Sequence, residues 1–258
     1  MNFYKYHGAG NDFLIADNRL GDIKLNADKI RWLCHRPFGI GADGLMLLNM
    51  SPLENVDFEM EFFNPDGSGG MMCGNGARCI VAFAYDLGLP HNVFMAPDGL
   101  HYATVSGTGA SKTVDLVMKD VERIEKLSES DYFLDTGTRH FVRFVDDPRL
   151  LVIDDEAVKI RHDARFAPIG TNVNIVHVDK GIVNIRTFEK GVEAETYACG
   201  TGVVAAAIAS QSASPGEYFD VQVKARGGDF HVTLKRAANM FCDVHLVGPT
   251  QFVAKIEI

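Results

Sequence analysis

One pattern occurs twice in this chain. "CGNGARCIVAFAYDLG" begins at Cys73 and "CGTGVVAAAIASQS" begins at Cys199, 126 residues later. Each is Cys-Gly-x-Gly followed by an apolar, small-residue stretch of helical character. Weaker echoes keep the same order and nearly the same spacing. "GIGADG" around Gly41 answers to "PIGTNV" around Gly170, "NDFLIAD" with Phe13 to "RHFVRFVD" with Phe141, and "EFFNPDG" with Phe63 to "RTFEKG" with Phe188. Self-similarity at about half the chain length restricts the fold to two copies of one unit. A chain of 258 residues supplies two cores of ordinary size.

Alternating segments at Phe58–Phe63, Thr113–Met118, Phe141–Val145, Ile182–Phe188 and Phe230–Lys235 read as strands, separated by Gly, Asn and Asp clusters. Helices are expected over 27–35, 74–88, 154–162 and 200–212. The fold class is therefore α+β, as two duplicated, pseudo-symmetric domains with one principal helix per half beginning after each Cys-Gly. The boundary falls within "SKTVDLVMKDVERIEK". It divides the chain into an N-terminal half, 1–115, and a C-terminal half, 116–247, with the closing "FVAKIEI" returning within 248–258 to the first.

A net charge of −9 argues against nucleic acid or an anionic membrane surface as the main partner. No apolar run reaches the roughly 18–20 residues of a membrane helix. "MNFYKYHGAGNDF" lacks the layout of a secretory signal and reads as a first strand. Five cysteines, Cys34, Cys73, Cys79, Cys199 and Cys242, are odd in number and widely spread, which points to a reducing, cytoplasmic setting. None has CxxC spacing, so no metal site is expected.

The chemistry of the repeated motif follows from helix physics. The first turn of a helix carries N–H groups without intrahelical acceptors and the positive end of the macrodipole. Glycines there let a carboxylate approach the backbone, and a cysteine at the same place has its thiolate stabilised. Two such starts aimed at one substrate would hold a carboxylate between them and set a thiol on each side of the adjacent carbon. One thiolate removes the α-proton and the opposite thiol returns a proton to the other face, inverting the centre. A single buried cysteine is usually a small hydrophobe, and Cys34, Cys79 and Cys242, without a glycine cradle, keep that reading. No pyridoxal lysine motif and no GxGxxG in a βαβ unit is visible. No cofactor is expected, and the carbanion must be stabilised by dipoles in a dry cleft.

The residues resemble those of the diaminopimelate epimerase family over essentially the whole chain. The motifs are "HGAGNDF" at 7–13, "GIGADG" at 39–44, "FFNPDGS" at 62–68, "CGNGAR" at 73–78, "GTNVN" at 170–174, "FEKG" at 188–191 and "CGTG" at 199–202. The resemblance implies two α/β halves, each a mixed sheet wrapped around a central helix, with the active site in the interdomain cleft. It implies cofactor-independent epimerisation of LL-2,6-diaminoheptanedioate to the meso form, serving lysine and peptidoglycan precursors. It makes Cys73 and Cys199 the paired acid and base. Gly74, Asn75, Gly200 and Thr201 are then donors to the reacting carboxylate, Asn11, Asn64 and Asn172 polar substrate contacts, and Glu189 the partner of a substrate ammonium. The expected partner is a small amino-acid substrate, with a homodimer open as the assembly.

Two departures fall on substrate recognition. Where the family usually has Glu-Arg-Gly, this chain has Glu189-Lys190-Gly191, and lysine lacks the planar bidentate fork of arginine. Where the family commonly has Gly-Asn-Pro-His, it has Gly137-Thr138-Arg139-His140, so Thr138 takes the place of a substrate-contacting asparagine and Arg139 is a candidate to compensate for Lys190. The alternatives are another amino-acid racemase, proline- or hydroxyproline-type included, a catalytically dead binding protein of the same fold, and a redox-sensing dithiol protein. Proline-type racemases typically carry His after the first Cys-Gly, where this chain has Asn75.

Overall fold

Both Cys-Gly-x-Gly segments start a helix that is buried on nearly every side. The structure is a computed structural model and describes residues 1–70, 72–153 and 155–258. The expected helix start at 154 and Met71, two residues before Cys73, lie outside the described residues. Along the chain run β1 (Asn2–Gly8), β2 (Asn11–Asp17), α1 (Ala27–Cys34), β3 (Gly44–Asn49), β4 (Phe58–Phe63), α2 (Gly74–Asp86), β5 (Val93–Ala96), β6 (Gly99–Ser106) and β7 (Ser111–Val117). There follow β8 (Ile124–Lys126), β9 (Asp131–Asp135), β10 (Arg139–Phe144), α3 (Asp155–Arg161), β11 (Asn172–Asp179), β12 (Ile182–Glu189) and β13 (Ala194–Thr196). The chain ends with α4 (Gly200–Gln211), β14 (Tyr218–Ala225), β15 (Gly228–Ala237) and the long β16 (Met240–Glu257). The chain divides into one unit of Met1–Leu116 with Gly248–Ile258 and another of Val117–Val247.

In the first unit the strands pair in the order β1 to β7, and the C-terminal part of β16 pairs with both β7 and β1. The sheet is thereby a closed ring, which leaves no open edge. It is mixed: β2–β3 and β4–β5 are parallel, the other pairs antiparallel. Helix α2 contacts β1, β2, β3 and β6, and every residue from Gly74 to Ala84 is buried. A helix buried all round is mostly apolar or small, and Gly76, Ala77, Ala82 and Ala84 let strands approach it closely, with Asn75 and Arg78 as its buried polar residues. Strand β2 is correspondingly buried on both faces at Phe13–Ala16. On the outer face of the ring α1 buries Ile30, Leu33 and Cys34 against Phe3, Leu14, Ala16, Leu45 and Leu47.

The second unit repeats this connectivity. Its order is β8-β9-β10-β11-β12-β14-β15 and then the N-terminal part of β16, with β10–β11 and β12–β14 parallel. On the far edge of β16, Val121 bridges Phe241 and the Met118 N–H donates to the Val244 carbonyl, so the stretch leading into β8 closes the second ring. Helix α4 contacts β9 to β12, β14 and β15, and Val203–Ala209 are fully shielded. Helix α3 covers the outer face through Ala157 and Ile160, packed with Phe141, Phe166, Val173, Ile175 and Phe188. The duplicated α/β fold inferred from the repeat is the fold observed. Its terminal strand is longer than "FVAKIEI" suggested, because β16 runs from one ring into the next.

Candidate active site

Cys73 occupies the N-cap position of α2 and Cys199 that of α4, both with extended backbone (φ −120° and −112°). N-caps are usually Ser, Thr, Asp or Asn, whose side-chain oxygen accepts a first-turn N–H. Neither sulfur does so. Each cysteine carbonyl instead accepts the first intrahelical bond, from Ala77 N–H at 2.7 Å and from Val203 N–H at 2.9 Å. The remaining first-turn N–H groups and the positive helix end sit beside each thiol.

Around Cys73 the polar groups are locked in direction. Asn11, which opens β2, donates its amide Nδ2 to the Asp43 carboxylate at 2.8 Å, so its Oδ1 faces the Cys73 Sγ at 3.8 Å and the Asn75 Nδ2 at 3.3 Å. Asn75 Oδ1 accepts from the guanidinium of Arg78 at 2.9 Å, and Arg78 also donates to the Gly74 carbonyl at 3.1 Å. A carboxylate only accepts and a guanidinium only donates, so Asp43 and Arg78 fix both amides. Arg78 is completely buried, and burial lowers its pKa while the cysteines oppose the shift. Behind Asp43, Arg36 reaches Asp43 at 2.6 Å and Asp12 at 2.7 Å, and Lys5 reaches Asp12 at 2.8 Å. Burial alone would raise the Asp12 carboxyl, but hydrogen bonds from Arg36 and Lys5 outweigh it and hold it at about 2. Asn64, just after β4, donates to Ser68 Oγ at 3.0 Å in its own turn.

The second unit places a different network beside Cys199. Its Sγ lies 3.3 Å from the hydroxyl of Thr201. Thr201 Oγ1 is 2.9 Å from His140 Nε2 and 3.2 Å from Thr138 Oγ1, and Thr138 Oγ1 is 3.0 Å from the same Nε2. Asn174 donates Nδ2 to His140 Nδ1 and to the Phe141 carbonyl, while its Oδ1 accepts from Thr187. Nδ1 is therefore an acceptor and the imidazole carries its proton on Nε2, aimed at the two threonine hydroxyls. Burial pushes the His140 pKa down to about 3; the Asn174 hydrogen bond opposes this and the Lys190 charge adds to it. Asn172 donates to Thr138 Oγ1 and to the Arg139 carbonyl, and its Oδ1 accepts from the Lys190 N–H at 2.8 Å. Glu189 ends β12, and Lys190 follows it in the turn to β13.

The expected residues thus fall into two sets, one in each unit: Asn11, Asn64, Cys73, Gly74 and Asn75 in the first, and Thr138, Asn172, Glu189, Lys190, Cys199, Gly200 and Thr201 in the second. Sequence reasoning passed over His140, Asn174, Asp43 and Arg78. The available signal was position, since His140 follows Thr138 by two, Asn174 follows Asn172 by two, and Asp43 and Arg78 lie inside quoted motifs. Among the other cysteines, Cys34 and Cys79 are buried and Cys242 half-buried. Burial pushes the Cys34 thiol up to about 11 and that of Cys79 further. All five are unbridged. Among the described residues no three His, Cys, Asp or Glu side chains gather as metal ligands, and no helix is long and apolar enough to cross a membrane.

Solved structures share this fold at low sequence identity. A phenazine biosynthesis protein of the PhzF family from Bacillus anthracis matches with a TM-score of 0.77 at 13% identity, covering 100% of this chain and 98% of that one. A probable proline racemase from Agrobacterium radiobacter matches at 0.61 and 17% identity, covering 100% and 92%. The class is therefore that of duplicated, helix-centred α/β barrels. Sequence narrows it: the family model for diaminopimelate epimerase matches residues 3–97 and 132–253. The diaminopimelate epimerase of Flavobacterium psychrophilum is 40% identical over 100% of both chains, and that of Chlorobaculum tepidum 39% identical over 95% of this chain and 96% of its own. The chain belongs to the diaminopimelate epimerase family, a family of isomerases.

Proposed function

We propose that this protein interconverts LL- and meso-2,6-diaminoheptanedioate by a cofactor-independent two-base mechanism, in the cytoplasm, at a step feeding lysine and peptidoglycan precursors. The observation that carries the reading is that Cys73 and Cys199 occupy the same N-cap position on the central helix of two equivalent barrels. In this mechanism one Sγ thiolate takes the α-proton, and the Cα–H electron pair delocalises into the α-carboxylate. The opposite Sγ–H then delivers its proton to the other face, leaving the sulfurs with exchanged protonation states. The first-turn N–H groups of Gly74, Asn75, Gly200 and Thr201 hold the carboxylate where negative charge grows. Preorganised donors of this kind each lower a barrier by roughly 3–4 kcal/mol. At the distal end Glu189 takes the ammonium and Lys190 faces the carboxylate as a point charge, with Asn11, Asn64, Thr138 and Asn172 as polar neighbours.

The family match favours this substrate over proline or hydroxyproline, for which only the fold is shared. The test is incubation with the LL isomer in D2O under reductant, following inversion and deuterium at the α-carbon. Inversion with deuterium uptake is expected, and Cys73→Ala and Cys199→Ala should each abolish it. Turnover of proline with none of the LL isomer would sink the substrate assignment. Full activity in either variant would remove that cysteine from the mechanism.

A further inference from the structure

The Glu189–Glu193 turn between β12 and β13 is built around a side chain that lies far from it in sequence. Glu193 has a left-handed backbone (φ +55°), a conformation uncommon for residues other than glycine. Its N–H donates to the Glu189 carbonyl at 2.9 Å, and its carboxylate Oε1 accepts from the Gly191 N–H at 2.9 Å. The same Oε1 accepts from Arg161 Nη2 at 2.7 Å, and His162 Nε2 stands 3.7 Å from Oε2.

Arg161 is the last residue of α3, and only 14% of its side chain is exposed. Its Nη1 lies 2.4 Å from where a Cβ on Gly170 would sit, so the guanidinium fills the space that any other residue at 170 would need. Lys190 Cδ lies 3.6 Å from that same point. The guanidinium is thus wedged between Gly170 and the turn, against the stem of Lys190. Its Nε is buried and makes no hydrogen bond among the described residues. A cation so shielded, with one carboxylate for a partner among the described residues, is a poor device for stability, because desolvation offsets most of the attraction. Its effect is to fix geometry.

We infer that Arg161 is a positioning residue for substrate recognition: through Glu193 and Gly170 it holds the turn that presents Glu189 and Lys190. What those two residues then bind rests on the proposed function; the clamp itself does not. With the Lys190 N–H anchored on Asn172 Oδ1, the turn has two independent tethers. The Arg161 tether, with the longer His162 contact beside it, reaches the far end at Glu193, whose carboxylate in turn holds the Gly191 N–H.

Two measurements test this on the full chain, using Arg161→Met, Glu193→Gln, their double variant and Arg161→Lys. Deuterium exchange read by mass spectrometry should show the 189–193 segment exchanging about tenfold faster or more in Arg161→Met, with α4 unchanged. Unchanged protection of that segment overturns the inference whatever the substrate is. With the LL isomer, Arg161→Met should raise KM about tenfold while kcat stays within about threefold. The double variant should be no worse than either single one, and Arg161→Lys should recover part of the loss. A fall in kcat with KM unchanged also overturns it, since that is what general unfolding of α3 would produce. If the wild-type protein fails to turn over the LL isomer, the proposed function falls while the exchange measurement still decides the clamp.

Discussion

The second glycine of each Cys-Gly-x-Gly motif occupies an equivalent place, yet the two should respond oppositely to alanine. Neither Gly76 nor Gly202 has a left-handed backbone, so packing alone decides. A Cβ at 202 would meet Asn174 Oδ1 at 2.7 Å, with Cys199 Cβ and His140 Cε1 each at 3.4 Å. Asn174 cannot retreat, because it is hydrogen-bonded to His140 at 3.1 Å, the Phe141 carbonyl at 2.9 Å and Thr187 at 2.9 Å. Overpacking costs about 1–3 kcal/mol, and a broken buried hydrogen bond about 1–3 kcal/mol more. The helix-propensity gain of alanine over glycine returns about 1 kcal/mol. Gly202→Ala should therefore destabilise by about 3 kcal/mol, a fall in Tm of roughly 6–12 °C for a chain of this size.

At Gly76 the nearest atoms are Met46 Sδ at 3.2 Å and two aromatic ring carbons at 3.5 and 3.6 Å. A thioether on a flexible stem moves aside cheaply, so Gly76→Ala should stay within about 1 kcal/mol of wild type. The assay is thermal unfolding under reductant, followed by circular dichroism. A Gly202→Ala protein melting within about 2 °C of wild type, or a larger loss for Gly76→Ala, would refute the packing account of the motif.

Two further predictions concern acid. His140 is neutral in the fold with its pKa depressed, so below about pH 6.5 the unfolded chain binds a proton that the native one does not. Stability should therefore fall by about 1 kcal/mol per pH unit from about pH 6.5 towards 3. Urea midpoints at several pH values should show this slope, and a His140→Gln protein with the same slope would exclude His140 as its source. Asp12 works in a lower window: its ion pairs stabilise the fold above about pH 4, and the contribution is lost as pH falls towards 2. Asp12→Asn should cost about 1 kcal/mol near neutrality, a difference that narrows between about pH 4 and 2. A constant difference would mean that shape, not charge, is what Asp12 supplies.

Much of the fold was legible because duplication and periodicity are linear properties of a sequence. Cys73 and Cys199 announced the starts of α2 and α4, and β4 and β12 were read nearly to the residue. The alternation of "FVAKIEI" pointed to a strand returning to the first half, but its partners were not legible: the pairing of β16 with β7 and β1 joins residues more than a hundred positions apart. The substrate-contacting side chains were read as individuals, whereas their directions depend on neighbours. Thr138 and Asn172 look like open polar contacts in sequence, but His140, Thr201, Arg139 and Lys190 engage them. Arg78 defeats pattern reading altogether, since a charged residue in a helical stretch is normally placed on a solvated face and this one is fully buried.

The order in which a ribosome makes this chain bears on how it can fold. The first strand, β1, pairs with the last, Asn2 opposite Glu257, and the Met1 amino group donates to the Ile258 carbonyl at 2.6 Å. The half that is synthesised first is thus the half that cannot be finished until residues 248–258 have been made. All of the second ring's residues leave the ribosome while β1 and β7 still expose strand edges, the condition under which nascent chains mispair or aggregate. Loss of the last ten or so residues would leave α2, and Cys73 at its tip, in an open-sided sheet. A chain stopped just before Gly248 should therefore be damaged more in its first ring than in its second.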